Sequence, residues 1–218
     1  MKSFVSNTIK AVAVFGLLGG LSTNLLASDT YQGYRLYNQT CFLCHGEDGK
    51  GDGPLAAKLD TDVTDLTDGR RIKTQSDQML FRLIPGTVKH GSGDVMPQWG
   101  LALAEPQIQA IVAYVRFLQQ SPHKLPGDPE LGEKVYGDHC VACHGRKGKG
   151  DGLLTDVMKI KPTDHTNSAV MNKFSNSRLI EVITQGTADK SLMPGWGGRL
   201  TKEEIESAAS DIRLLSAF

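Results

Sequence analysis

The chain has no excess of charge, few aromatic side chains, no spare cysteine and no long apolar run. Lysine plus arginine balances aspartate plus glutamate at 24 each, for a net charge of +0, which argues against nucleic acid as a partner. Aromatic residues make up only 6%, a share that suits a core filled partly by something other than side chains. The 4 cysteines all fall in two short stretches, so none is left over as a separate ligand or nucleophile. The most apolar stretch, Ala11 to Leu21, is shorter than the ~20 residues of a membrane span. No segment alternates apolar and polar residues well enough for a sheet. The expected fold is therefore all-α. At 218 residues there is room for one large or two small domains.

What is present is concentrated in Cys41-Phe42-Leu43-Cys44-His45 and Cys140-Val141-Ala142-Cys143-His144. Both read C-x-x-C-H, the signature of covalent haem c attachment. Cysteines so spaced on one helical turn point the same way, and their thiols can reach the two vinyl groups of one porphyrin. The next histidine then lies under the iron as the proximal ligand. A redox dithiol, a four-cysteine zinc site or, in an exported chain, a disulfide would also use C-x-x-C pairs. None of these needs a histidine directly after the second cysteine, in both copies. Two covalently attached haem c groups are the expected cofactors, and flat groups of that size suit the low aromatic content.

Residues 1–27 read as a signal peptide. Lys2 and Lys10 give a basic start, Ala11 to Leu21 an apolar centre, and Ala27 a small residue at the cleavage position, although Leu25 is a poor −3 residue. Left uncleaved, the segment would be a membrane anchor, for which its apolar part is short. Export to the periplasm also agrees with haem attachment, which bacteria carry out on that side of the membrane.

The rest of the chain repeats itself with a period just under one hundred residues. Gly33, Tyr37 and Cys41 recur as Gly132, Tyr136 and Cys140, and Thr64-Asp65 recurs as Thr163-Asp164. The glycine loop His45 to Gly53 matches His144 to Gly152, and Met96-Pro97-Gln98-Trp99-Gly100 matches Met193-Pro194-Gly195-Trp196-Gly197. Such a period is too long for a solenoid and suits two copies of one small domain. Between them, Ser121 to Pro129 carries three prolines and reads as a short, stiff linker. The expected domains are 28–121 and 122–218. Each reads as helix, haem turn, glycine loop, helix, methionine loop, helix. Asp128 and Pro129 open the first helix of the second copy, Ser76 and Ser175 cap the middle helices, and Thr201 to Glu204 forms a capping box before the last.

Electron-carrying haem irons with histidine on one side usually have methionine on the other. Met96 and Met193 recur in the same place, each followed by proline and then tryptophan, and are the expected distal ligands. Two repeated core methionines are the alternative. Met79 falls on the apolar face of a helix, and Met158 and Met171 have no counterpart in the first copy, so these are expected in packing or on the surface. His90, His139 and His165 are not repeated and are expected to be solvent-facing or structural.

Each half resembles a class I cytochrome c domain, and the whole resembles the tandem di-haem cytochromes c. The resemblance covers essentially all of 28–218 and rests on C-x-x-C-H with a downstream M-P-x-W loop. It implies that the Pro54 carbonyl accepts the Nδ1 hydrogen of His45. It also implies that Gly33 with Tyr37, and Gly132 with Tyr136, form the crossing of first and last helices. Trp99 and Trp196 would pack at the haem edge or serve as ordinary core aromatics. Two departures stand out. Leu153 replaces Pro54, and Asp211 stands where the first copy has Tyr114, so the two haems are expected to be unequal, the second in a looser setting.

The function implied is single-electron carriage between redox-partner proteins, with Cys41, Cys44, His45, Met96, Cys140, Cys143, His144 and Met193 holding two haems. Such a protein is either a free shuttle or the electron-transfer subunit of a larger membrane-bound respiratory complex. A di-haem peroxidase is the enzyme alternative, and the repeated methionine loop argues against the open iron site it needs. The haem loops differ in sign, Glu47-Asp48-Gly49-Lys50 against Arg146-Lys147-Gly148-Lys149. An acidic partner is therefore expected to dock by the second haem.

Overall fold

The computed structural model describes residues 29–86, 95–187 and 192–217. The leader 1–27 and His90 with its glycine-rich insertion lie outside them. Among the described residues there are helices and 3-10 turns and no strand. The first half holds α1 (Asp29–Thr40), α2 (Phe42–His45), α3 (Asp77–Leu83) and α4 (Glu105–Gln120). The second holds α5 (Pro129–His139), α6 (Val141–His144), α7 (Leu153–Met158), α8 (Ser168–Met171), α9 (Asn176–Gln185) and α10 (Lys202–Leu215).

The helix starts follow from side-chain acceptors placed on otherwise unpaired N–H groups. Ser76 Oγ accepts from Met79 N–H at 3.2 Å and Ser175 Oγ from Arg178 N–H at 3.1 Å. Asp128 accepts from Glu130 N–H at 2.9 Å, with Pro129 at the first helical position. Thr201 and Glu204 cap each other's backbone N–H at 3.2 and 2.8 Å, the box read from the sequence.

In each half the first helix crosses the last at a glycine. A Cβ on Gly33 would sit 1.9 Å from the Ala110 carbonyl oxygen, and one on Gly132 would sit 2.0 Å from that of Ser207. Only glycine permits so close a backbone approach. Around these crossings lie two apolar clusters, one built on Tyr37, Leu80, Ile108 and Ile111, the other on Tyr136, Leu179, Ile205 and Ile212.

Helix α10 is buried on more than the one face its apolar stripe marks. Ile205, Ala208 and Ile212 face the second core, while Leu214, 1% exposed, packs into the first. That one leucine is worth about 1.5–3 kcal/mol of burial. The linker is tied to the remaining face. Ser210 Oγ receives Gly127 N–H at 2.8 Å and Ser207 Oγ receives Asp128 N–H at 3.1 Å. Ion pairs from Lys124 to Asp48 at 2.6 Å and from Arg35 to Glu130 at 3.3 Å join the halves at the surface.

The crossings differ in one side chain. Tyr114 in the first is surrounded by Tyr34, Tyr37 and Phe117, with ring centroids 5.1–5.8 Å away. Asp211 in the second is only 5% exposed. Burial, with Glu133 nearby, raises its carboxyl to about 7, and the phenol of Tyr31 feels its charge. A carboxyl whose folded value lies above its ordinary 3.8 binds a proton on folding. Its contribution is complete below about pH 4 and is lost as pH rises through about 7. Measured against Asp211→Asn by urea unfolding, the wild type should lose on the order of a few kcal/mol between pH 4 and pH 8, a comparison in which the opposite contribution of the other titrating groups cancels. An unchanged slope in the variant would mean that Asp211 is not the titrating group.

Candidate haem-binding sites

The C-x-x-C-H segments are single helical turns. Cys41 and Cys140 stand just before α2 and α6, and their carbonyls accept His45 N–H and His144 N–H at 2.9 Å each. This brings both thiols of a pair and the histidine to one side of one turn. All four thiols are free of disulfides. Among the described residues no three His, Cys, Asp or Glu side chains gather to hold a metal ion, so the two pairs do not meet as a zinc site. Burial pushes the Cys140 thiol up to about 12.

Both proximal histidines are anchored through the backbone, but not by the residue the resemblance implied. His45 Nδ1 donates to the Thr64 carbonyl at 3.1 Å, and His144 Nδ1 to the Thr163 carbonyl at 3.2 Å. A carbonyl can only accept, so each ring carries its hydrogen on Nδ1 and keeps Nε2 as the lone-pair donor. The reason lies in the glycine loop. Leu66 N–H bonds to Gly49 O at 2.7 Å and His165 N–H to Gly148 O at 2.6 Å, folding the Thr-Asp segment beneath the ring. Pro54 is exposed. Leu153, which replaces it, opens helix α7 where the first half has only the 3-10 turn Ala56–Lys58. The exchange of proline for leucine therefore does not loosen the second histidine.

In the second half, His144 and Met193 line one mostly apolar cavity, closed by Phe174, Leu179, Ile183 and Trp196. The methionine loop is laced to the end of α9 by Trp196 N–H to Ile183 O and Gly197 N–H to Thr184 O, both 3.0 Å. Gly186, at φ +72, lies against it so closely that a Cβ would be 2.5 Å from Met193 O. The first half repeats this lacing with Gly100 N–H to Pro85 O at 3.2 Å, which sets the half-buried Met96. Met171 also lines the cavity, but its counterpart is Ile72, so the repeat singles out Met193. Met158 lies at the surface and Met171 in the core, 2% exposed. In the second half, paired thiols without a disulfide, a histidine anchored through Nδ1 and an apolar slot with a methionine in its wall fit a covalently held haem, and the first half repeats the thiol pair and the anchoring bond.

Two features carry no motif and escape the sequence. Arg116 and Arg213 are buried at matching positions of the last helices. Arg116 reaches Asp77 at 2.7 Å and the Gln75 carbonyl. Arg213 reaches Asn176 at 2.9 Å, the Met171 carbonyl at 2.9 Å and the Phe174 carbonyl. Each guanidinium thus fixes the segment ahead of the middle helix, in the second half the wall of the cavity itself. The other is His165, which is buried rather than solvent-facing. Its ring stacks on that of His144 with centroids 4.2 Å apart and planes 17° apart, and its Nδ1 is hydrogen-bonded to the Tyr136 hydroxyl at 3.1 Å. Burial, with His144 beside it, drives His165 down to about 3, so it is a neutral ring. His139 stays exposed, 5.1 Å from Trp196.

A helical fold with two such sites defines a c-type cytochrome carrying tandem haems. The chain belongs to the family described as cytochrome c oxidase, cbb3-type, subunit III, whose model matches 28–115 and again 127–210. It is a di-haem member, with two covalently bound haem c groups. It is similar to the Cbb3-type cytochrome c oxidase subunit FixP of Bradyrhizobium diazoefficiens, 30% identical over 85% of this chain and 60% of that one. FixP of Azorhizobium caulinodans is 34% identical over 84% of this chain and 58% of its own. Subunit CcoP of Cereibacter sphaeroides is 28% identical over 85% and 61%. The chain spans about three fifths of the length of these relatives. A chain of the reducing HAO-like protein complex of Kuenenia stuttgartiensis aligns at 24% identity over 84% of this chain and 95% of that one, with a TM-score of 0.35. Among the described residues no helix is long and apolar enough to cross a membrane.

The clamp on the cavity wall should be measurable. Arg213→Met leaves two carbonyls without their donor and should lower stability to urea by about 1–3 kcal/mol. Equal unfolding midpoints for variant and wild type would show that the clamp contributes nothing.

Proposed function

We propose that the chain carries single electrons between redox-partner proteins, with Cys41, Cys44, His45 and Met96 holding one haem and Cys140, Cys143, His144 and Met193 the other. Haem c supplies a one-electron couple, and the protein's part is to fix its axial ligands and shield it. The observation that carries the reading is the placement of His144, held through Nδ1, and Met193 on the walls of one cavity. The first half repeats the same anchoring bonds. With both axial positions taken by protein, neither site offers a place for a substrate, which disfavours a peroxidase.

The domains of this carrier are 28–121 and 122–218, exported to the periplasm by the leader 1–27. The relatives named as subunits of a cbb3-type oxidase support a place in a larger membrane-bound respiratory complex rather than free shuttling. In the first haem loop Asp48 is already paired with Lys124, whereas Arg146, Lys147 and Lys149 are exposed around the second. An acidic partner surface therefore meets the second haem. Charge reversal at Lys147 and Lys149 should flatten the salt dependence of electron transfer to the partner, because complementary charge acts chiefly on encounter. An unaltered salt dependence would remove the docking assignment.

Spectra test the ligands directly. The oxidised protein should show the near-infrared band of methionine–iron ligation, and Met96→Ala and Met193→Ala should each remove about half of it. Carbon monoxide should bind the reduced variants and leave the wild type untouched. Prompt binding to the wild type would instead place an open iron site in the chain.

A further inference from the structure

The segments that follow the two C-x-x-C-H turns match residue for residue and carry opposite charge. Residues 46–62 hold five acidic and two basic side chains, for a net of −3, and residues 145–161 hold five basic and two acidic, for a net of +3. The exchange falls at equivalent positions. Glu47 and Asp48 of the first glycine loop stand where the second has Arg146 and Lys147, and Asp60 and Asp62 stand where it has Lys159 and Lys161. All of these are exposed except Asp48, which is half-buried and paired with Lys124. Each segment is gathered into one surface on its haem turn. In the second half Thr155 Oγ1 donates to the Cys143 carbonyl at 3.2 Å, and a Cβ on Gly150 would be 2.7 Å from Pro162 O. In the first, Leu55 N–H bonds to Leu43 O at 2.8 Å, and a Cβ on Gly51 would be 2.3 Å from Val63 O. Beside the charges each surface shows aliphatic side chains to solvent. Leu153 and Val157, one turn apart on α7, are 84% and 73% exposed, and Leu43 and Leu55 are 44% and 40% exposed. No residue of α7 lines the cavity that holds His144 and Met193.

We propose that the basic surface of the second half docks on the acidic surface of the first half of a second copy, so that chains associate head to tail. The two surfaces are built on the same fold and differ mainly in sign, so they are complementary in charge and alike in extent. Opposite charge steers the encounter and sets the orientation, while like surfaces repel, which disfavours a pairing of one surface with itself. The contact is therefore heterologous, and each copy keeps a second surface for a further neighbour. With no net charge on the chain as a whole, copies meet no general repulsion. The exposed leucines and Val157 give the contact an apolar part that salt does not screen. This deepens the docking reading above by naming one acidic surface that fits the second haem, and it rests on that reading for its electron transfer. The contact brings the second haem turn of one copy beside the first haem turn of the next. An electron crossing there oxidises one haem and reduces the other, with no bond made or broken.

Light scattering of the intact di-haem protein reads the association directly. At about 10 mM salt, where charges act over about 30 Å, the mass should exceed that of one chain and rise with concentration. At about 1 M salt, where their reach is about 3 Å, the association should weaken. Glu47→Lys, Asp60→Lys and Asp62→Lys together turn the first surface from −3 to +3. Lys147→Asp, Lys159→Asp and Lys161→Asp together turn the second from +3 to −3. Each triple variant alone then carries two like surfaces and should stay a single chain at low salt. An equimolar mixture of the two should associate again, and this recovery shows that neither variant lost association by misfolding. A wild type that stays a single chain at every concentration overturns the proposal, as does a mixture that stays dissociated. In either case a salt dependence of transfer to the redox partner that still flattens on reversal of Lys147 and Lys149 leaves the docking reading itself standing.

Discussion

The backbone contact at Gly33 and Gly132 is the constraint from which the rest of each half follows. Where the first helix crosses the last with no Cβ between them, the two axes come close enough for Tyr37 and Tyr136 to reach under the glycine loops. The C-x-x-C-H turn follows directly on the first helix, so the crossing angle also sets where the thiols and histidine stand. The last helix then supplies the floor of the cavity, through Ala208 and Ile212 in the second half. A substitution at the crossing would displace the haem turn relative to that floor, far more than it would disturb the helices themselves.

Helix α10 turns two small domains into one body. A small domain has little core to spare, and here one helix serves both: Ile205 and Ile212 for its own half, Leu214 for the other. The serines that tie down the linker sit between those faces, so the path from Ser121 to Pro129 is fixed along its length rather than merely stiffened by proline. Arg213, on the same helix, adds the grip on the cavity wall. Electron transfer between two sites depends on their spacing holding still, and a shared helix with a pinned linker provides that.

Much of this was legible in the residues. The haem turns, the serine and aspartate caps, the capping box and the glycine crossings all announce themselves through side chains that do one job. What was not legible depends on the backbone or on comparison between copies. The acceptor for His45 is a main-chain carbonyl, and any residue offers one, so proline at position 54 was a plausible but wrong choice over Thr64. Arg116 and Arg213 look like ordinary surface charges until the carbonyls they clamp are in view. His165 could have been found, since the matched Thr-Asp pairs are followed by Leu66 in one copy and by His165 in the other. The second burial face of α10, made of serines, an aspartate and a single leucine, carries no periodic signal at all.

The two halves thus differ, but not where the exchange of Pro54 for Leu153 pointed. The difference does not lie in the anchoring of the proximal rings, which is the same in both to within a tenth of an ångström. It lies one layer further out, in what backs those rings and those crossings. In the first half Leu66 packs against the core, and Tyr34, Tyr114 and Phe117 cluster at the crossing. In the second half His165, hydrogen-bonded to Tyr136, backs His144, and the buried carboxyl of Asp211 stands at the crossing. Both exchanges add polar groups to the same half. A duplicated domain can keep every backbone bond that anchors its proximal histidines and still diverge in the layer behind them.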